Sequence, residues 1–133
     1  MNIKSAGSNT GNIIIALGAF NAFFAVATGA FAAHGLKEML SVDYINTFKT
    51  AADYQMIHGI GLLLIGILNK QEANRYNSTA AAFMFIGILL FSGSLYTLTL
   101  TGTKWLGLIT PIGGLCFLIA WLMLGFNYLL SKN

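Results

Sequence analysis

Asp, Glu, Lys and Arg are missing from four long segments of this chain: Ile13 to Ala33, Tyr54 to Asn69, Thr79 to Gly102 and Trp105 to Ser131. A helix that crosses a bilayer needs about 20 apolar residues, at about 1.5 Å of rise each. Three segments reach that length, and a few flanking residues complete the second. The pattern predicts an all-α membrane protein in which four transmembrane helices form an up-and-down bundle. The expected helices cover about residues 12–33, 51–69, 79–101 and 106–130, in one domain over residues 1–133.

The polar stretches between them set the loops. The first loop, about His34 to Thr50, is the longest. Ser41 followed by Asp43 reads as a helix N-cap with an acidic first turn. A helix is therefore expected from near Val42, as an interfacial segment that can run on into the second span. Val42, Ile45, Phe48 and Ala52 recur at helical spacing along it. Lys70 to Asn77 is a polar turn, and Gly102, Thr103 and Lys104 make a tight connection. Pro111 divides the last segment. Either Thr110 caps a fresh helix with Pro111 in its first turn and Trp105 in the aromatic belt, or one longer helix kinks at Pro111.

Composition agrees with the pattern. Of 133 residues, 56% are hydrophobic and 8% charged, against roughly 25% charged in soluble domains. A soluble core of this size would not hide so much apolar surface. The net charge of +3 rests on seven scattered basic residues, which is no nucleic-acid footprint. Cys116 is the lone cysteine, so no intrachain disulfide forms. The polar start with Lys4, then an apolar run, has the outline of a secretory signal. The run is longer than a usual signal core, so it is expected to stay as a helix. With four spans both termini share a side, with Lys4, Lys70, Arg75 and Lys132. The other side has Lys37, Lys49 and Lys104. The excess points to both termini being cytoplasmic.

Polar residues inside the segments are the candidate chemistry. Gly18, Ala22, Ala25 and Gly29 give the first helix a smooth face, expected to pack it tightly at the centre of the bundle. Asn21 reads as glue between helices. Tyr54, Gln55 and His58 share a face of the second helix, with His58 expected just below the interface, bonded to a facing Ser or Tyr. The third helix carries Ser92, Ser94, Tyr96, Thr97, Thr99 and Thr101, hydroxyls that often bond back to their own backbone. Up-and-down topology puts His34, Tyr54, Gln55, His58, Tyr96, Thr99 and Thr110 in one half of the membrane, the non-cytoplasmic one by the charge excess. His34 and His58 are expected to approach each other there, while the other half reads as almost pure Leu, Ile, Phe and Ala. No Asp or Glu falls in a helix centre, as proton- or cation-coupled carriers usually require. No catalytic motif is present, two histidines do not make a metal set, and no metal or cofactor is expected.

GAFAAHGLK (Gly29 to Lys37), TAADYQMIHGIGLLL (Thr50 to Leu64), LFSGSLYTLTLTG (Leu90 to Gly102) and TPIGGLCFLIAW (Thr110 to Trp121) closely resemble the bacterial membrane-protein family called domain of unknown function 423. Transmembrane protein 256 of animals is a related group. The resemblance spans nearly the whole chain, in order. It implies a small inner-membrane protein of about four helices and supplies no reaction or substrate. The motif positions it transfers are His34, Gly35, Tyr54, Gln55, His58, Ser92, Gly93, Ser94, Tyr96, Thr110, Pro111, Gly113 and Gly114. Gly59 and Gly61 depart from the Ala-rich sequence expected after His58 and would loosen the second helix.

The reading that follows is a non-enzymatic protein of the lipid bilayer. Its outer polar cluster, His34, Tyr54, Gln55, His58, Ser92, Tyr96 and Thr110, would bind a membrane protein partner or a lipid headgroup. Homo-oligomers fit as well; nucleic acid does not. The alternatives are an oligomeric small transporter or channel, and an accessory protein of a membrane enzyme or redox complex that uses His34 and His58.

Overall fold

A computed structural model describes residues 3–131, with side chains from Asn9 onward. Lys132, one of the basic residues behind the expected orientation, lies outside them. Four helices fill the chain: α1 (Ile3–His34), α2 (Val42–Gln71), α3 (Arg75–Thr101) and α4 (Thr110–Leu130), with a short 3-10 segment at Lys104–Leu108 before α4. Each contains a stretch long and apolar enough to cross a membrane. They run up and down, and each packs mainly on its neighbours in sequence. α2 and α3 are therefore the inner helices, and α1 and α4 the outer ones.

The ends follow local chemistry. The Ser41 hydroxyl accepts from the Tyr44 amide at 3.3 Å, capping α2. α2 then runs unbroken through Gln71, so the expected interfacial segment is its first third. α3 ends at Gly102, whose φ of 72° closes the helix in the left-handed region. Pro111 stands in the first turn of α4, so a fresh helix starts there and none is kinked. Thr110 does not cap it. Ile109 holds the cap position, and the Thr110 hydroxyl is 2.7 Å from Ser94 on α3. Leu36 in the first loop is 1% exposed and packs with Ala32 and Phe48, which plugs the α1–α2 end of the bundle.

α1 is not central, as its smooth face suggested. Phe20, Phe23, Phe24, Val26 and Phe31 cover its outer side and are exposed. What the small residues do is bring α1 against α2. A methyl placed on Gly18 would lie 2.7 Å from the Gly59 carbonyl oxygen, and one on Gly66 would lie 3.0 Å from the Gly11 carbonyl oxygen. Gly11 and Gly18 thus face Gly66 and Gly59 across an antiparallel pair of helices, two turns apart on each. Gly59 does not loosen α2; it lets α1 in. Gly61 admits the Met84 sulfur in the same way, and Gly87 and Gly113 bring α3 against α4. Gly29 meets nothing within 4 Å and plays no part.

The glycine register fixes depth. It sets Phe24 of α1 level with Asp53 of α2, and Phe31 level with Asn46. The Ser92 hydroxyl on α3 donates to the Ala51 carbonyl at 2.7 Å, which gives the same alignment from the other side. Asp53 therefore lies ten residues, about 15 Å, inside the end of α1.

Candidate functional site

The expected polar cluster resolves into three arrangements that differ in what they leave unpaired. The first is a chain of hydrogen bonds through three helices. The Tyr96 hydroxyl on α3 donates to Gln55 Oε1 on α2 at 2.8 Å, and Gln55 Nε2 donates to Asn21 Oδ1 on α1 at 3.1 Å. Asn21 Nδ2 donates to the Leu17 carbonyl at 2.8 Å. That carbonyl only accepts, so it fixes the orientation of the Asn21 amide, and Asn21 in turn fixes Gln55. Thr28 Oγ1 closes the chain at 2.9 Å from the Tyr96 hydroxyl. Its one proton is shared between Tyr96 and the Phe24 carbonyl, also 2.9 Å away. Every amide nitrogen and oxygen named here has a partner. Asn21 is glue, as its sequence suggested, and so are Gln55 and Tyr96.

The second arrangement pins helices pairwise. Ser92 holds α3 to α2 through Ala51, and Ser94 with Thr110 holds α3 to α4. Thr97, Thr99 and Thr101 return their protons to carbonyls of α3 itself. These hydroxyls too are spent on structure.

The third centres on His58. The ring is 4% exposed, and Nδ1 is 2.7 Å from the Tyr54 carbonyl of its own helix. A carbonyl accepts only, so Nδ1 carries a proton. The expected bond to a facing Ser or Tyr is absent among the described residues. The ring stacks instead on Phe117 of α4, centroids 3.5 Å apart and planes 8° apart. Tyr54 lies parallel to Phe91 at 4.4 Å, and Trp121 stands 6.0 Å from the imidazole. These rings, with Pro111, Leu115 and Leu118, line a groove of about 520 Å³ between α2 and α4. Nε2 of His58 has no hydrogen-bond partner among the described residues. No described side-chain nitrogen or oxygen that is fully covered lacks a partner, so Nε2 is not fully covered, and His58 lines the groove. In the neutral ring it is a bare acceptor in apolar surroundings. His58 is level with the Gly18 turn of α1, about 23 Å inside the end of that helix.

His34 does not join this group. It is exposed at the last residue of α1, about 15 residues, or about 23 Å, from the level of His58. Among the described residues no three His, Cys, Asp or Glu side chains gather as a metal set.

A further polar cluster lies where an almost purely apolar half was expected. The Tyr76 amide donates to Asn74 Oδ1 at 2.8 Å, Asn74 Nδ2 to Asn127 Oδ1 at 3.3 Å, and Asn127 Nδ2 to Asn77 Oδ1 at 3.3 Å. Asn77 Nδ2 then donates to the Tyr128 hydroxyl at 2.9 Å. Asn69, 2% exposed, accepts from the Asn74 amide and so folds the turn between α2 and α3. The signal was in the sequence as four asparagines at the ends of three segments. Taken one by one, they read as ordinary turn and end residues.

The fold and these arrangements define a small multi-pass α-helical membrane protein, pinned by buried polar chains. The family model described as "Protein of unknown function (DUF423)" matches residues 28–114. The chain is 50% identical over 112 residues to a UPF0382 membrane protein of Staphylococcus saprophyticus, covering 84% of this chain and 92% of that one. It is 51% identical to a UPF0382 membrane protein of Staphylococcus epidermidis, covering 84% and 91%. The UPF0382 membrane protein YwdK of Bacillus subtilis is 44% identical over 113 residues, covering 84% and 92%. The chain belongs to this family of membrane proteins of unknown function. No solved structure matches it.

Proposed function

We propose that this protein is a non-catalytic binding protein of the bacterial plasma membrane, which takes up a lipid-phase molecule in the groove at His58. The observation behind this is the unpartnered acceptor in the groove wall. Gln55, Tyr96, Ser92, Ser94 and Thr110 are spent on one another or on backbone. Among the described residues His58 Nε2 is an unpartnered acceptor on the groove wall, and the Tyr54 hydroxyl and Trp121 Nε1 on the same wall are unpartnered too. A buried acceptor without a donor costs about 1–3 kcal/mol. A molecule that brings a hydroxyl to Nε2 and lays apolar surface on Phe91, Phe117 and Trp121 recovers that cost.

The groove faces outward between helices that cross the bilayer, so its ligand arrives from the lipid side. By the charge excess both termini are cytoplasmic, and the groove runs from the outer leaflet, near Pro111, toward the middle. The test compares native masses of the gently solubilised protein and of His58→Phe. That change keeps a ring to stack on Phe117 and removes the acceptor. The wild type should carry a lipid-phase adduct that the variant lacks, at unchanged thermal stability. Equal adducts on both proteins would refute the proposal.

A further inference from the structure

We infer that a second copy of this chain covers the polar first third of α2 inside the membrane, with Lys49 of each copy paired to Asp53 of the other. The inference is independent of the groove at His58.

The exposed side of α2 changes character along its length. Asn46, Lys49, Thr50 and Asp53 are followed at helical spacing by Ile57, Ile60, Leu64 and Ile67, all exposed. Taken alone, α2 would place the bilayer edge between Asp53 and Ile57. The neighbours do not allow it. The glycine register sets exposed Phe24 and Phe31 of α1 level with Asp53 and Asn46, and α1 stays uncharged as far as Ala33. Ser92 on Ala51 aligns α3, which stays uncharged to Gly102. Two helices packed against α2 thus hold its polar stripe at a level where their own outer faces carry no charge.

An uncovered carboxylate at that depth is expensive, and ionisable side chains in spans normally pair or face a protein interior. Among the described residues neither Lys49 nor Asp53 has an ion-pair or side-chain hydrogen-bond partner. They do not neutralise each other within the chain, although they lie one turn apart.

Charge complementarity selects the occupant. The stripe carries one positive and one negative group, spaced four residues apart. Two copies related by a two-fold axis along the membrane normal present the same stripe to each other. Lys49 of one copy then lies one turn, about 5–6 Å along the axis, from Asp53 of its mate, within reach of the lysine stem. The contact makes two ion pairs and leaves Thr50 near the axis. Thr50 bonds to the Asn46 carbonyl at 3.0 Å and needs nothing more.

The test is association in lipid vesicles, read by energy transfer between labelled copies, with charge reversals on α2. Wild type should be dimeric. Lys49→Glu alone and Asp53→Lys alone should each set like charges opposite each other and weaken association by about tenfold or more, worth about 1.4 kcal/mol. The double reversal should restore it. A separate arm guards against variants that misfold. On an otherwise unchanged chain with Cys116→Ser, Thr50→Cys should form a disulfide dimer on mild oxidation, and Leu118→Cys on α4 should not. Wild type that is monomeric at every protein-to-lipid ratio would mean that another protein or water covers the stripe, and would overturn the inference. So would a dimer indifferent to both reversals, or a Thr50→Cys chain that stays uncrosslinked.

Discussion

Gly18→Ala and Gly29→Ala should change stability in opposite directions, although both glycines belong to the same run of small residues on α1. At Gly18 the new methyl would sit 2.6 Å from the Leu63 amide nitrogen and 2.7 Å from the Gly59 carbonyl oxygen. Both are backbone atoms of α2, and neither can turn away. Ordinary contact begins near 3.4 Å, so the helices would have to part by most of an ångström. Parting them strains the Asn21–Gln55 bond one turn further along, 3.1 Å as it stands. Overpacking of this kind costs about 1–3 kcal/mol. Replacing a helical glycine by alanine returns about 0.5–1 kcal/mol. The net expectation is a loss of about 1–2 kcal/mol. At Gly29 nothing lies within 4 Å, so only the helix-propensity gain remains, at most about 1 kcal/mol. Unfolding of both variants, followed by circular dichroism in one detergent, gives the comparison. Equal shifts for the two would refute the glycine register, and with it the depth assigned to Asp53.

Three other changes probe the polar chains and the turn. Tyr96→Phe removes the donor to Gln55 Oε1, and should cost about 0.6–2 kcal/mol of stability in denaturant titration, without loss of any ligand bound at His58. Asn77→Ala strips a residue that is 1% exposed and leaves Asn127 and Tyr128 without it. A loss of about 1–3 kcal/mol is expected, and Asn127→Ala added to it should cost little more, because the two share one chain. Gly102→Ala forces a methyl-bearing residue to φ of 72° at the end of α3, and should lower the melting temperature by the equivalent of about 1–2 kcal/mol.

The four spans were legible because apolar length is the whole of that signal, and the lipid imposes it on each helix separately. Ser41 and Pro111 could be placed because their effects are local. What resisted reading is whatever depends on which helix faces which. Gly18 was visible as small, but its partner Gly59 looked like a weakness in α2 until α1 lay on it. Tyr96, Gln55 and Asn21 are far apart in sequence, and only packing makes them one chain. The four asparagines at the other end are the same case. The levels of Asp53 and His58 against α1 could not be read from α2 alone, because they follow from the glycine register between the two helices.

The account turns on His58 presenting a bare acceptor to its groove. Nitrogen-15 NMR of the imidazoles in the reconstituted protein tests this directly, since His34 is the only other histidine. His34→Gln would leave a single ring to assign. The expected result is a neutral ring protonated at Nδ1, with a non-protonated Nε2 whose resonance moves when a membrane-soluble alcohol is added. A ring protonated at Nε2 with Nδ1 bare would turn the acceptor into a donor and contradict the account.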